Sequence, residues 1–282
     1  MAAMARFVPC GVITLTTDFG LADPFVGVMK GRILGRFAAA RIVDLSHAAP
    51  VGEPEVAGFW LARCFEQFPP GTVHAAVVDP GVGTERAIVG LMSRGHVLLA
   101  PDNGLLAAAA ARDPGAEAVR LAPRTLAGLA IEAVSATFHG RDIFAPLAAE
   151  IAAGRLSPQA LGPPLGEWTR TERDAPLKRA DSIEGRVLVV DHFGNLITNI
   201  EAASLAGFEA PRAHVGGRVL PIRRTYADVA TGELLALVNS FEVLEIAVGQ
   251  GSAAAKLGLG RGARVSVRQA VSADLLAGPN RL

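Results

Sequence analysis

Apolar positions in the first half of the chain alternate between continuous runs and helical spacing. Residues 12–16 form a short apolar run that predicts a strand. Over 24–37, Phe25, Val28, Met29 and Ile33 recur at helical intervals and predict one buried face. A strand is expected at 41–45. A helix is expected over 53–68, with Val56, Phe59, Trp60 and Phe65 inward. The run 72–78 ends in Asp79-Pro80-Gly81 and reads as a fully buried strand. Segments 87–92 and 96–100 read as a hairpin, and 104–112 and 143–153 as helices. Strands alternating with helices predict an α/β domain with a mostly parallel central sheet.

The texture changes near Gly162-Pro163-Pro164. A polar segment follows, and beyond it short strands separated by turns are expected at 185–190, 196–199, 213–215, 218–222, 234–238, 243–248 and 264–268. Helical periodicity is weak there, so a smaller all-β, barrel-like domain is expected. The expected division is an α/β domain over 1–165, a linker over 166–183 and the β domain over 184–282.

Composition narrows the function classes. The 282 residues are half hydrophobic, with only 5% aromatic, so Ala, Val, Leu and Ile must fill the cores. Twenty-seven basic residues balance 27 acidic ones, leaving no global field to gather nucleic acid or an anionic membrane. No apolar run approaches the roughly 18 residues of a membrane helix. The apolar stretch 7–15 runs directly into the polar segment 16–20 and reads as a first strand, not a signal peptide. Cys10 and Cys64 have no metal or redox spacing, in keeping with a reducing cytoplasm.

Polar residues collect where strands end, which is where parallel α/β sheets bind ligands. The first strand delivers Thr16, Thr17 and Asp18, with Asp23 following. The next buried strand delivers Asp79, and the hairpin delivers Asp102 and Asn103. His139, Arg141 and Asp142 precede a helix; Asp191 to Asn195 and Asn239-Ser240 follow strands in the second half. Each cluster has a plain alternative as a turn, a helix cap or a core histidine. Dinucleotide, Walker, nucleophile-elbow and zinc motifs are missing. A carboxylate–histidine metal site built from Asp18, Asp79 and His139 is conceivable. Spacing alone therefore supports a ligand-binding α/β protein of open substrate.

The ordered set is more specific than its members. Thr-Thr-Asp-Phe-Gly (16–20), Asp-Pro-Gly-Val-Gly-Thr-x-Arg (79–86), Pro-Asp-Asn-Gly (101–104), Phe-His-Gly-Arg-Asp-Ile-Phe-Ala-Pro (138–146), Asp-His-Phe-Gly-Asn-Leu-Ile-Thr-Asn (191–199) and Asn-Ser-Phe-x-x-Leu-Glu-Ile-Ala (239–247) together resemble the SAM hydroxide adenosyltransferases, relatives of the fluorinase and chlorinase. The resemblance spans about residues 12–268. It implies metal-independent hydrolysis of S-adenosyl-L-methionine to adenosine and L-methionine, with no cofactor. It also implies a homotrimer, each active site drawing on one subunit's N-terminal domain and a neighbour's C-terminal domain.

By position, the resemblance makes Asp79, Arg86 and His139 the polar triad that handles water. Asp18 matches the carboxylate on the ribose hydroxyls. Asp23, Asp191 and Ser240 match groups at the methionine end, and Phe193 and Asn195 match the adenine pocket. Asn103 and Glu245 fall inside the matched motifs and join the substrate-binding set. The halogenase relatives carry Tyr where this chain has Asp79. The fluorinase also has an inserted loop after the Arg86 position, and only 14 residues separate Arg86 from Pro101 here. Two departures from the fluorinase pattern are Phe241, where it has Arg, and the segment after His47, which lacks its Trp. The alternatives are a non-catalytic adenosine or SAM binder and a halide-using relative.

Overall fold

The computed structural model describes residues 7–131, 133–169 and 175–269. It divides into two compact units, residues 1–172 and 173–282. Residues 170–174 of the expected linker and 270–282 of the expected β domain lie outside the described residues.

The first unit is built on a six-stranded sheet. Its strands are β1 (Val12–Thr17), β2 (Arg41–Ser46), β3 (Val73–Val77), β4 (Ile88–Ser93), β5 (His96–Pro101) and β6 (Glu117–Arg120), in the order β2-β1-β3-β5-β4-β6. The pairs β1–β2, β1–β3 and β3–β5 are parallel. The β4–β5 hairpin and β6 add two antiparallel pairs at one side. Strands β1, β3, β4 and β5 are buried along their whole length, which is why they read as continuous apolar runs rather than alternating ones.

Helices α1 (Phe25–Arg36) and α5 (Ala145–Ala152) bury Met29, Ile33, Leu147 and Ile151 in the same core as Ile13, Leu15, Val73 and Ala75. Helices α2 (Pro54–Cys64) and α3 (Ala107–Arg112) contribute to a second core, with Leu61 and Ala109 against Ala76, Val89 and Leu98. The buried stripe of α1 is Val26, Met29 and Ile33, not the expected Phe25 and Val28, which are 45% and 39% exposed. Those two sit about one residue round from the stripe, and Phe25 instead meets Phe19 and Phe138. Strand β6 and helix α4 (Pro123–Gly128) were not expected; both are short, with four and six residues.

The second unit is a closed barrel. Strands β8 (Ser182–Val190), β9 (Leu196–Glu201), β10 (Arg212–Val215), β11 (Arg218–Arg223), β12 (Leu234–Val238), β13 (Val243–Val248) and β14 (Arg264–Arg268) run round it as β8-β9-β13-β12-β11-β10-β14. Pairing of β14 with β8 completes the ring, which removes its free edges. A two-residue strand, β7 (Leu177–Lys178), pairs with the outer part of β8, inside the segment expected as linker. Among the described strands of this unit, only β11–β12 is a parallel pair. Alternation is clean on β14: Val265 and Val267 enter the core while Arg264 and Arg268 face out. A short helix, α6 (Ala253–Leu257), capped by the Ser252 hydroxyl, was also unexpected.

Candidate active site

Strand order places the first unit's polar segments. From β1 the chain passes through α1 to β2 on one side, and from β3 it passes to the β4–β5 pair on the other. The carboxyl ends of β1 and β3 thus flank a topological switch point. Asp18 follows β1, and Asp79 follows β3 after Val78. A cavity of about 890 Å³ lies elsewhere: Arg94, His96 and Asp113 line it near the amino end of β5, and it holds none of the triad.

Asp79, Arg86 and His139 form one connected group. Arg86 Nε donates to Asp79 Oδ1 and Oδ2 at 2.7 and 2.8 Å, and its Nη2 also binds Oδ2 closely. The same Nη2 stands 2.9 Å from His139 Nδ1. The Asp79 and Arg86 side chains are 4% and 9% exposed, so the ion pair is nearly dry. The turn between them is held by Val82 N–H on the Asp79 carbonyl and Thr84 N–H on that of Gly81. Gly83 completes it at φ +81°, where a Cβ would lie 2.3 Å from the Ala136 carbonyl oxygen. Only a glycine lets the Asp79–Arg86 loop approach the segment leading to His139 this closely.

Burial, and then the adjacent Arg86 charge, depress the pKa of His139 below the ordinary imidazole value; Asp79 and Asp142 oppose this. Guanidinium N–H groups only donate, so Nδ1 accepts and the neutral ring carries its proton on Nε2. His139 ends one segment, and a π-helical turn, Gly140–Phe144, leads from it into α5. Such wide turns concentrate at functional sites. Gly140 lets the turn sit close to Phe19, whose ring would lie 3.4 Å from a Cβ there. The edge-on cluster Phe19, Phe25 and Phe138 thus joins the Asp18 segment to the His139 segment.

The other expected residues of this unit divide. Asp18 is half-buried, and its Oδ2 accepts the Gly52 N–H at 2.9 Å. Asp23 is exposed just before α1. Asn103 does structural work in the fold: its amide donates to the Val78 carbonyl at 2.8 Å and its oxygen accepts from Leu105 N–H, tying the hairpin's end to the residue before Asp79. Among the described residues, no three His, Cys, Asp or Glu side chains cluster as a metal site would require.

In the second unit, Asp191 organises its own loop. Its Oδ1 accepts from Phe193 N–H and Asn195 N–H, and its Oδ2 from the Asn195 amide at 3.0 Å. Gly194, at φ +83°, turns the loop against Ser252, leaving Phe193 74% exposed beside a buried Asn195. Ser240 is exposed on the turn between β12 and β13. Glu245, on β13, is only 2% exposed. Its Oε1 accepts from the Tyr226 hydroxyl at 2.7 Å and its Oε2 from the Asn239 amide at 3.0 Å. Burial raises the Glu245 pKa, the two donors oppose this, and the nearby Asp191 charge adds to the rise.

Two supporting groups left no trace in the sequence reading, and a third, Asp142, was noted there without its contacts. The Gly52 amide that holds Asp18 is backbone and leaves no side-chain signal. Asp142, 4% exposed, accepts from Ser135 N–H and from Arg141, fixing the approach to His139; it was visible only as a motif member. Tyr226, the chain's single tyrosine, stands outside every motif.

The chain matches two family models, the SAM hydroxide adenosyltransferase N-terminal domain over residues 13–162 and the C-terminal domain over 185–266. It is 42% identical over 250 residues to a Thermus thermophilus protein named (R)-S-adenosyl-L-methionine hydrolase, covering 87% of this chain and 95% of that one. A Salinispora tropica protein of the same name is 41% identical over 263 residues, covering 92% and 98%. A crystal structure of an uncharacterized conserved protein from Thermotoga maritima superimposes with a TM-score of 0.82 at 34% identity, covering 91% of this chain and 99% of that one.

Proposed function

The chain belongs to the SAM hydroxide adenosyltransferase family, and from that membership we propose that it is an enzyme hydrolysing S-adenosyl-L-methionine to adenosine and L-methionine. The names of its relatives point to the (R) epimer at sulfur as substrate. The observation that carries the mechanism is the bridging of a carboxylate and a neutral imidazole by Arg86, beside the strand ends of the first unit.

The sulfonium makes the ribose 5′ carbon electrophilic. A water oxygen forms the new bond to that carbon, the carbon–sulfur bond breaks, and its electron pair leaves on a neutral thioether. The leaving group needs no acid, so the protein's task is to place one water and remove one proton. Positioning at near-attack geometry is worth about 7–11 kcal/mol, and a placed base about 10²–10⁴-fold.

The hydrogen bonds support one division of roles. Arg86 stays protonated and cannot take the proton. His139 Nδ1 is occupied by Arg86 and Nε2 already carries a hydrogen, so His139 donates to the water oxygen and orients it. Asp79 retains accepting lone pairs beyond those used by Arg86, so the proton goes there. Asp18 takes the ribose diol, with Gly52 holding its second oxygen in place. Asp23, Asp191 and Ser240 serve the methionine end, Phe193 and Asn195 the adenine, and Asn103 and Glu245 support these groups from behind. The enzyme acts as a homotrimer in the cytoplasm, without metal or cofactor. Among the described residues no helix is long and apolar enough to cross a membrane.

The test is incubation of purified protein with each sulfonium epimer, with and without chloride and EDTA, followed by chromatography. Adenosine and methionine from the (R) epimer, insensitive to both additions, are expected. Bound adenosine with no turnover would establish a binder instead, and a chloride-dependent halogenated nucleoside would establish a halogenase. Sedimentation gives the subunit number.

A further inference from the structure

We propose that Glu245 is a positioning residue that sets the turn at 239–242 for the methionine end of the substrate, with Tyr226 as its second support. This rests on the assignment of Ser240 and Asp191 to that end.

The turn is built outward from a buried carboxylate. Glu245 Oε2 fixes the Asn239 amide nitrogen, which leaves the Asn239 amide oxygen pointing into the turn. That oxygen accepts from Phe241 N–H at 3.0 Å and Val243 N–H at 3.4 Å. Backbone bonds close the same turn: Asn239 N–H to the Val243 carbonyl and Glu242 N–H to that of Asn239, both at 3.0 Å. Glu242 is held at φ +59°, a conformation uncommon for a residue with a Cβ. Ser240 sits between these fixed points, exposed and with its orientation decided from beneath.

Stability alone gives little reason for this arrangement. An apolar side chain of similar size would avoid the desolvation of a buried carboxylate. What the carboxylate supplies is direction: two acceptors that fix one amide and one phenol. Tyr226 meets it from a short 3-10 turn, Tyr226–Asp228, capped reciprocally by Thr225 and Asp228. Asp191, itself assigned to the methionine end, lies near enough to act electrostatically on both Glu245 and Tyr226.

The test compares E245L, E245Q and Y226F in the full-length protein, reading inhibition constants for L-methionine and adenosine beside KM and kcat. In E245L the methionine constant and KM should rise about tenfold, the equivalent of about 1.4 kcal/mol, with the adenosine constant within about twofold. E245Q should recover most of that loss, since its oxygen can accept from Asn239 while the Tyr226 hydroxyl turns to accept from its amide. Should E245L not fold, Y226F carries the test with about a threefold rise for methionine alone. An unchanged methionine constant, an equal rise for both ligands, or E245Q as poor as E245L would overturn the proposal. Wild-type protein that binds both ligands without turnover would sink the hydrolase reading and leave these binding comparisons intact.

Discussion

Arg86 Nη2 lies 2.9 Å from His139 Nδ1 while the same guanidinium grips Asp79, so a permanent cation stands between the carboxylate and the imidazole. The carboxylate therefore does not charge the imidazole as it would in direct contact. The imidazole is kept neutral, with a fixed tautomer, and the roles proposed for the three groups are distinct.

Removing any member should lower kcat far more than it raises KM. Asp79→Asn keeps the shape and removes the proton acceptor; a loss of about 10²–10⁴-fold is expected. Arg86→Lys should fail nearly as badly, because one ammonium cannot reproduce the fork that spans both neighbours. Adenosine formation measured at saturating substrate checks both, and full activity in either variant would contradict the assignment.

The depressed His139 pKa sets an acid limit. The active form has a neutral ring, so activity should persist as pH falls through 6.5 and decline only below it. Arg86 is the second cause of the depression after burial. Ring resonances followed by NMR should therefore titrate at higher pH in Arg86→Gln than in the wild type. An upward limb centred above pH 6.5 in the native enzyme would overturn this.

Asp18→Ala should weaken adenosine binding by roughly ten- to a hundredfold, the range of one or two charge-assisted hydrogen bonds. Calorimetry with adenosine alone reads this without turnover, and unchanged affinity would remove Asp18 from the ribose.

A buried histidine pair, apart from His139, should govern acid stability. His74 Nδ1 bonds Thr14 Oγ1 at 2.8 Å and its Nε2 faces His96 Nδ1 at 3.2 Å, with Phe65 and Phe68 packed around. Burial, then His96, push the His74 pKa down to about 3. The unfolded chain binds a proton near pH 6.5 that the folded chain refuses until about pH 3. Stability is thus full above pH 6.5 and is lost as pH falls through that window, by on the order of 3 kcal/mol at pH 4. Urea unfolding at pH 7 and pH 4 should show this loss, and His74→Gln should flatten it.

Gly83→Ala tests the loop approach. A Cβ would press on the Ala136 carbonyl from a left-handed backbone, so a cost of about 1–3 kcal/mol and displacement of Arg86 from His139 are expected. A variant with native Tm and kcat would show that the approach is not required.

Much of the fold could be read from the chain because buried strands advertise themselves. The runs at β1, β3 and β5 carry no Asp, Glu, Lys or Arg, so the carboxylates that follow them stand out. Short elements were less legible: β6 has only Val119 fully buried, too little periodicity to register. Phe25 misled because aromatic residues satisfy a helical pattern wherever they point. The triad residues can be named from motifs, but which nitrogen of His139 is occupied cannot, since only distances fix that. Glu245 could be found but not understood: nothing in its own motif indicates the partner hydroxyl of Tyr226, nineteen residues earlier.

The π turn at Gly140–Phe144 has a consequence for insertions and deletions. It holds one residue more per turn than the α-helix it feeds. Each residue of a regular helix advances about 100° around the axis. Deleting one residue there would let the helix wind normally, keep α5 seated on its core, and swing His139 about 100° away from Arg86. A single codon therefore separates the Arg86–His139 contact from an ordinary helix start.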